Sequence, residues 1–393
     1  MLRKVLSVLL LTFSVVSSPC YATRIWQSGF ESGNVQSGVT EWGGTQDLTN
    51  FTLDTSVVRS GTYSGKFTGP GYLQSVVGNV MGKTFCRFYV YLSGPVSQRN
   101  YIFQARGAGD TPLFGLYLLP DSSAYPRCIE VNNDALDFVV GISPLSIPIG
   151  VWTLIECEMQ IPGGYIELRI NGVTQVQSYS NSWQPISVDH LQIGPKDITH
   201  PLGCDIWYDD LAWNDNWGAH STDPQNNWCG EGHIVNLSPT SDSPPNQWTP
   251  VGTVSHFSSV ADLPGTPDTT TYLHVASTTV GLSDRWGLQS YPISPQINEV
   301  LFGVRGWGTN KSGTANLSLV DSSNNVVNGI NPSWNHTSPA TIYPILSVDT
   351  TWDGFALPLT KPYLDLSFPE AILTNNNGKA INWTTVWTTV DYQ

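Results

Sequence analysis

The chain has 393 residues, a formal net charge of −14 and a pI near 4.7. Only 12% of its residues are charged, about half the ~25% usual in soluble proteins. Phosphate and sulfate polymers need clustered Lys or Arg, and no basic run follows residue 4, so nucleic acid and polyanionic glycans are not expected partners.

The first 22 residues, MLRKVLSVLLLTFSVVSSPCYA, form a basic start, an apolar run and a small-x-small end. That is the layout of a secretory signal peptide, with an apolar part too short for a stable membrane span. Cleavage after Ala22 leaves nothing apolar enough to span a membrane, and predicts a secreted or surface protein. Gly (36) and Pro (27) are abundant, and helical periodicity is nearly absent after residue 22. Short alternating runs at 83–92, 127–132, 152–161, 165–172, 190–194 and 205–213 predict strands at the spacing of an all-β sandwich.

The clearest hairpin is WTLIECEMQIPGGYIELRING, with its turn at Pro162, Gly163 and Gly164. Thr153, Ile155, Cys157 and Met159 share the inward face with Ile166, Leu168 and Ile170. Glu156, Glu158, Glu167 and Arg169 are expected outward, with Glu156 opposite Arg169. In DIWYDDLAWND (205–215), strand alternation predicts one of Asp209 and Asp210 inward and the other in water.

Residues 216–230 are polar and read as a linker. Strand-like runs at 233–239, 270–277, 299–307, 314–321, 352–359 and 382–393 then predict a second β-sandwich over 231–393. Five cysteines follow the signal segment, namely Cys86, Cys128, Cys157, Cys204 and Cys229. The number is odd, so at least one stays free or pairs between chains. His200, Cys204, Cys229 and His233 mirror each other across the linker. They leave open a zinc site, a Cys204–Cys229 disulfide, or unrelated residues.

GFESG (29–33), SGTYSGKF (60–67), the W-x-x-I-E strand, IELRING, LQIG and the closing WYDDLAWND occur in an order that resembles concanavalin A-like jelly rolls of the LamG/glucanase type, over residues 23–215. The junction NNWCGEGHIVNLSP (226–239) resembles a tandem arrangement in structural proteins of tailed phages and in bacterial surface proteins. The fold class expected is thus all-β, a concanavalin A-like jelly-roll sandwich followed by a second β-sandwich.

Glycanases of this fold carry E-x-D-x-x-E, which is absent here. The nearest substitute, Glu156-x-Glu158, is explained equally by Arg169 and solvent. Asp205 and Asp209 stand about 13 Å apart along a strand, too far to act on one bond. Jelly-roll lyase motifs, G-x-S-x-G and nucleotide loops are also absent. No catalytic residue is assigned. Sugar rings stack on aromatic faces, so Trp42, Trp183, Trp213 and Trp217, in or beside turns, are candidate glycan contacts, with core filling as the alternative. The resemblance further implies a structural Ca²⁺ where the first strand meets the last, with Glu31, Asp209 and Asp210 as ligands. The expected role is a secreted, non-enzymatic carbohydrate-binding or adhesion protein. A structural virion or appendage protein and a polysaccharide-degrading enzyme are the alternatives.

Overall fold

A computed structural model describes residues 24–215 and 228–392 apart from internal stretches, the longest being 36–41, 180–186, 264–269, 290–296, 335–344 and 348–369. The expected signal peptide, Trp183, Trp217 and the run at 352–359 lie outside the described residues.

Strands β1 to β14 build two facing antiparallel sheets. The first contains, in spatial order, β12 (Val173–Tyr179), β11 (Tyr165–Ile170), β10 (Thr153–Ile161), β5 (Gly82–Leu92), β14 (Ile206–Asp215), β3 (Ser64–Phe67) and β2 (Phe51–Asp54), and β1 (Arg24–Ser28) pairs the far half of β14. The second has the order β4 (Leu73–Val80), β13 (Val188–Ile193), β6 (Asn100–Gly107), β7 (Thr111–Leu118), β8 (Cys128–Asn133) and β9 (Phe138–Ser146). Alternate residues point between the sheets, where Phe67, Phe88, Phe103, Leu116, Tyr208 and Trp213 are buried. The expected hairpin holds, with Glu156 opposite Arg169 and Ile155 opposite Ile170. Cys86 and Cys157 face each other across β5 and β10 in the core, their sulfurs 3.4 Å apart.

The strands after residue 230 pair among themselves into two further six-stranded sheets. The hub of one of them is the closing strand Ile381–Tyr392, which pairs with Ile297–Gly308 on one side and with His233–Leu237 and Tyr272–Val275 on the other. Among the described residues no helix is long and apolar enough to cross a membrane.

The second half packs on the outer face of the eight-stranded sheet. There Arg24 donates to Asp391 at 2.8 Å and Arg87 donates to the same carboxylate oxygen at 3.0 Å. All three side chains are essentially without solvent exposure. Two cations around one acid recover the cost of burial only with further hydrogen bonds. Arg24 also reaches Asn214 (2.7 Å), and Arg87 the carbonyl of Asp210 (3.0 Å). Gly232 is needed at this contact, because a Cβ there would lie 2.0 Å from Arg87 Nη1 and 2.3 Å from Asp391 Oδ1. The outward face of the hairpin is therefore not solvated as expected. Glu156, Glu158 and Glu167 are at most 5% exposed, and Glu156 accepts a hydrogen bond from the Gly230 amide at 3.0 Å. Burial raises the Glu156 pKa against the pull of that amide and of Arg87.

Candidate functional site

Asp209 and Asp210 do not alternate. Asp209 stands opposite Tyr89 and Ala212 opposite Arg87, so Asp210 and Leu211 share the single position facing Phe88. This β-bulge needs one residue in the left-handed region, and Asp210 takes it at φ 51°. A short acid tolerates that conformation better than most side chains. The result corrects the expectation that one carboxylate meets water, since both are 0% exposed.

Both acids turn to the loop before β3. Asp209 accepts the Arg59 amide at 2.9 Å and the Asp210 amide at 2.8 Å. Asp210 pairs with the Arg59 guanidinium and accepts Ser60 Oγ (2.5 Å) and the Ile234 amide (2.6 Å). Glu31 accepts the amides of Thr62 (2.8 Å) and Tyr63 (2.9 Å). Gly61 makes room for it, since a Cβ at that residue would lie 2.3 Å from the Glu31 carboxyl. Burial, followed by the charge of Asp210, pushes the Asp209 pKa well up. Calcium takes six to eight oxygens. The carboxylates of Glu31, Asp209 and Asp210 face N–H and O–H donors instead, and the cation beside Asp210 is Arg59. Among the described residues no group of three or more acids, His or Cys is placed to hold a metal ion. These residues do not fit Ca²⁺.

The aromatic candidates are placed just as plainly. Trp42 is 1% exposed, stacked on Phe30 with ring centroids 5.4 Å apart, and Trp213 is 0% exposed. Neither presents a face to a sugar, because both belong to the apolar core between the two sheets. Cys204 lies before the start of β14, and Cys229 packs against Phe85 and Ala212 near its end. Both are free thiols, and strand length alone keeps them from one site.

A different set of side chains converges on the outward face of the six-stranded sheet. Gln192 on β13 stands opposite Gln74 on β4 and Gln104 on β6. Gln104 stands opposite Gly115 on β7, which stands opposite Asn132 on β8. One row across five strands thus carries four carboxamides and a glycine, spanning roughly 19 Å at the usual strand spacing. Gly115 leaves space that Asp134 enters, since a Cβ there would lie 2.4 Å from the Asp134 carboxylate. Asp134 accepts Gln104 Nε2 at 2.6 Å and Tyr117 Oη at 3.0 Å, and its burial raises its pKa.

The charges bordering the row are matched. Arg106 pairs with Asp110 at 2.5 Å, and Arg99 with Glu130 at 2.6 Å. The Tyr117 ring is also covered. Arg99 lies 3.5 Å from its centroid, and the Tyr101 ring lies 4.1 Å away. Gln192 is different. It is 2% exposed, and among the described residues neither its Oε1 nor its Nε2 has a hydrogen-bond partner; Gln74 Oε1 also has none there. Buried carboxamides normally find partners, and an unmatched one points to a group still to be supplied. The sequence signal for this row was modest. FQAR, LQIG and VNN each alternate a core residue with a carboxamide, but only the register aligns them.

No family model matches the chain, and no curated protein matches it. Solved structures of similar fold cover about half of it. "Cellulose induced protein, Cip1" shares 15% identity at a TM-score of 0.35, over 48% of this chain and 95% of that one. Domain 4 of AbnA, a GH43 extracellular arabinanase from Geobacillus stearothermophilus in complex with arabinotriose, shares 12% identity at a TM-score of 0.34, over 50% and 93%. The carbohydrate-binding module CBM66 from Bacillus subtilis shares 8% identity at a TM-score of 0.31, over 46% and 100%.

Proposed function

We propose that the protein is a secreted, non-enzymatic carbohydrate-binding protein whose site is the outward face of the six-stranded sheet. The observation that carries this reading is the row Gln74–Gln192–Gln104–Asn132, with the amide of Gln192 unmatched inside it. Carboxamides donate and accept in one plane, and sugar hydroxyls do both as well. The acids on this face are already committed, Glu130 to Arg99 and Asp134 to Gln104 and Tyr117, which supports binding over hydrolysis. The signal-like segment at residues 1–22 supports export.

Calorimetric titration of oligosaccharides, run beside an assay for released reducing ends, tests the reading. Heat of binding without release is expected. Release of sugar, or no binding to any polysaccharide, overturns it. The structural-protein alternative has one feature in its favour, the buried contact of Asp391 with Arg24 and Arg87 that fixes the two halves together. It requires regular oligomers on a sizing column and no glycan affinity.

A further inference from the structure

We infer that the ligand is an uncharged, linear polysaccharide with free vicinal hydroxyls, lying across the strands along the carboxamide row, with Gln192 as its specificity-determining contact. The inference rests on the proposed function and narrows it to one substrate class.

Three observations lead there. The first concerns charge. Arg99 and Arg106 are each neutralised by an acid of the same face, and Lys196 lies over the Tyr72 ring with its pKa lowered by burial. None of the row's own side chains is a cation, and the two arginines beside it are already paired, so neither is free to clamp a uronate or sulfate.

The second concerns stacking. Tyr117, the aromatic residue bordering the centre of the row, has one neighbour in Arg99 and another in Tyr101. At the centre of the row, recognition therefore comes from hydrogen bonds. That favours ligands dense in hydroxyls over ligands with broad apolar faces.

The third concerns geometry. The oxygen and nitrogen of one carboxamide lie side by side, one an acceptor and the other a donor. Two adjacent hydroxyls offer the complementary pair, so one carboxamide bridges a vicinal diol. Gln192 has both atoms unmatched, and Gln74 beside it has its oxygen unmatched. Gln104 is bonded at both amide atoms, to Asp134 and Arg106, so the diol contact lies at the Gln74–Gln192 end, and a linear chain extends from it across the remaining strands, which span roughly 19 Å.

The experiment uses the full chain and isothermal titration against three probes. These are a neutral, unsubstituted linear β-1,4-glucan oligosaccharide, whose rings keep the 2,3-diol, the same material after periodate oxidation and borohydride reduction, and a polyuronate oligosaccharide of equal length. Periodate cleaves the bond between adjacent hydroxyl-bearing carbons and leaves the polymer uncharged. The neutral oligosaccharide is expected to bind at least about tenfold more tightly than either other probe. Gln192→Leu is expected to weaken binding by about tenfold or more, the loss of roughly 1.4 kcal/mol of hydrogen bonding, with an unchanged unfolding midpoint. Gln74→Leu, at the end of the row, should cost less and keep the fold if Gln192→Leu does not. Binding that survives periodate treatment, that favours the uronate, or that ignores both substitutions overturns the inference while leaving carbohydrate binding intact. No binding to any probe removes the proposed function itself.

Discussion

At the scale of single residues, the corner where Glu31, Asp209 and Asp210 meet shows how a guanidinium can occupy the role expected of a metal. Asp210 is fully buried, and Arg59 is its cationic partner. Removing one partner of a buried pair leaves an uncompensated charge and typically costs about 3–5 kcal/mol. Arg59→Met is expected to destabilise by that amount in urea unfolding, far beyond the ~0–1 kcal/mol of an exposed pair. Thermal unfolding in EDTA and in millimolar Ca²⁺ should give superimposable curves, because a ligand stabilises only where it binds the native state. Trp213→Ala should cost about 3–5 kcal/mol of stability through the cavity it leaves, read as a lower midpoint in urea unfolding.

These placements mark where sequence reasoning ended. Alternation correctly put Ile155, Cys157 and Met159 in the core, because period two is a property of the strand itself. It failed at Asp210, where a bulge adds one residue to one strand, and nothing in WYDDLAW announces that. It failed for Trp42 because a tryptophan near turns looks the same in sequence whether or not another strand closes over it.

At the scale of elements, β5, β8, β10, β11, β13 and β14 were legible, β4, β6 and β7 among others were not, and of the pairings only the β10–β11 hairpin could be read. The closing strand Ile381–Tyr392 was readable from its β-branched and aromatic residues. That it delivers Asp391 beneath Arg24 and Arg87 was not, since those residues are separated by most of the chain. The carboxamide row was hidden for the same reason, because four short strands each supply one member. Burial opposes the charge of Asp391, but Arg87 and Arg24 hold its pKa below the ordinary 3.8. The folded state thus releases this proton more readily than the unfolded chain. The stabilisation is complete above about pH 3.8 and is lost as pH falls through the lower, folded value. Asp391→Asn should cost about 3–5 kcal/mol at neutral pH, because it strands two buried cations. Chemical unfolding along a pH series should show the gap between variant and wild type closing below about pH 3.8.

At the scale of the whole molecule, two sandwiches share a boundary made of interior residues. Cys229 packs beneath Phe85, Gly230 binds Glu156, and Ile234 binds Asp210. Domains joined by small polar contacts unfold separately, whereas a buried ionic boundary couples them. Differential scanning calorimetry is expected to show one transition, and a chain ending at residue 215 should melt at a lower temperature than the first sandwich does in the full protein. Two well-separated transitions would show that the boundary contributes little.

The bond from Arg24 to Asp391 spans 367 positions of sequence. During synthesis the first sandwich can pair its strands early, yet Arg24 and Arg87 wait for a counter-ion that the ribosome adds 304 residues after Arg87. Until then the outer sheet carries two unneutralised cations, and the half-made protein is held short of its final stability. The first half therefore completes its outer face only when the second half arrives, and that arrival locks the two together in a single step.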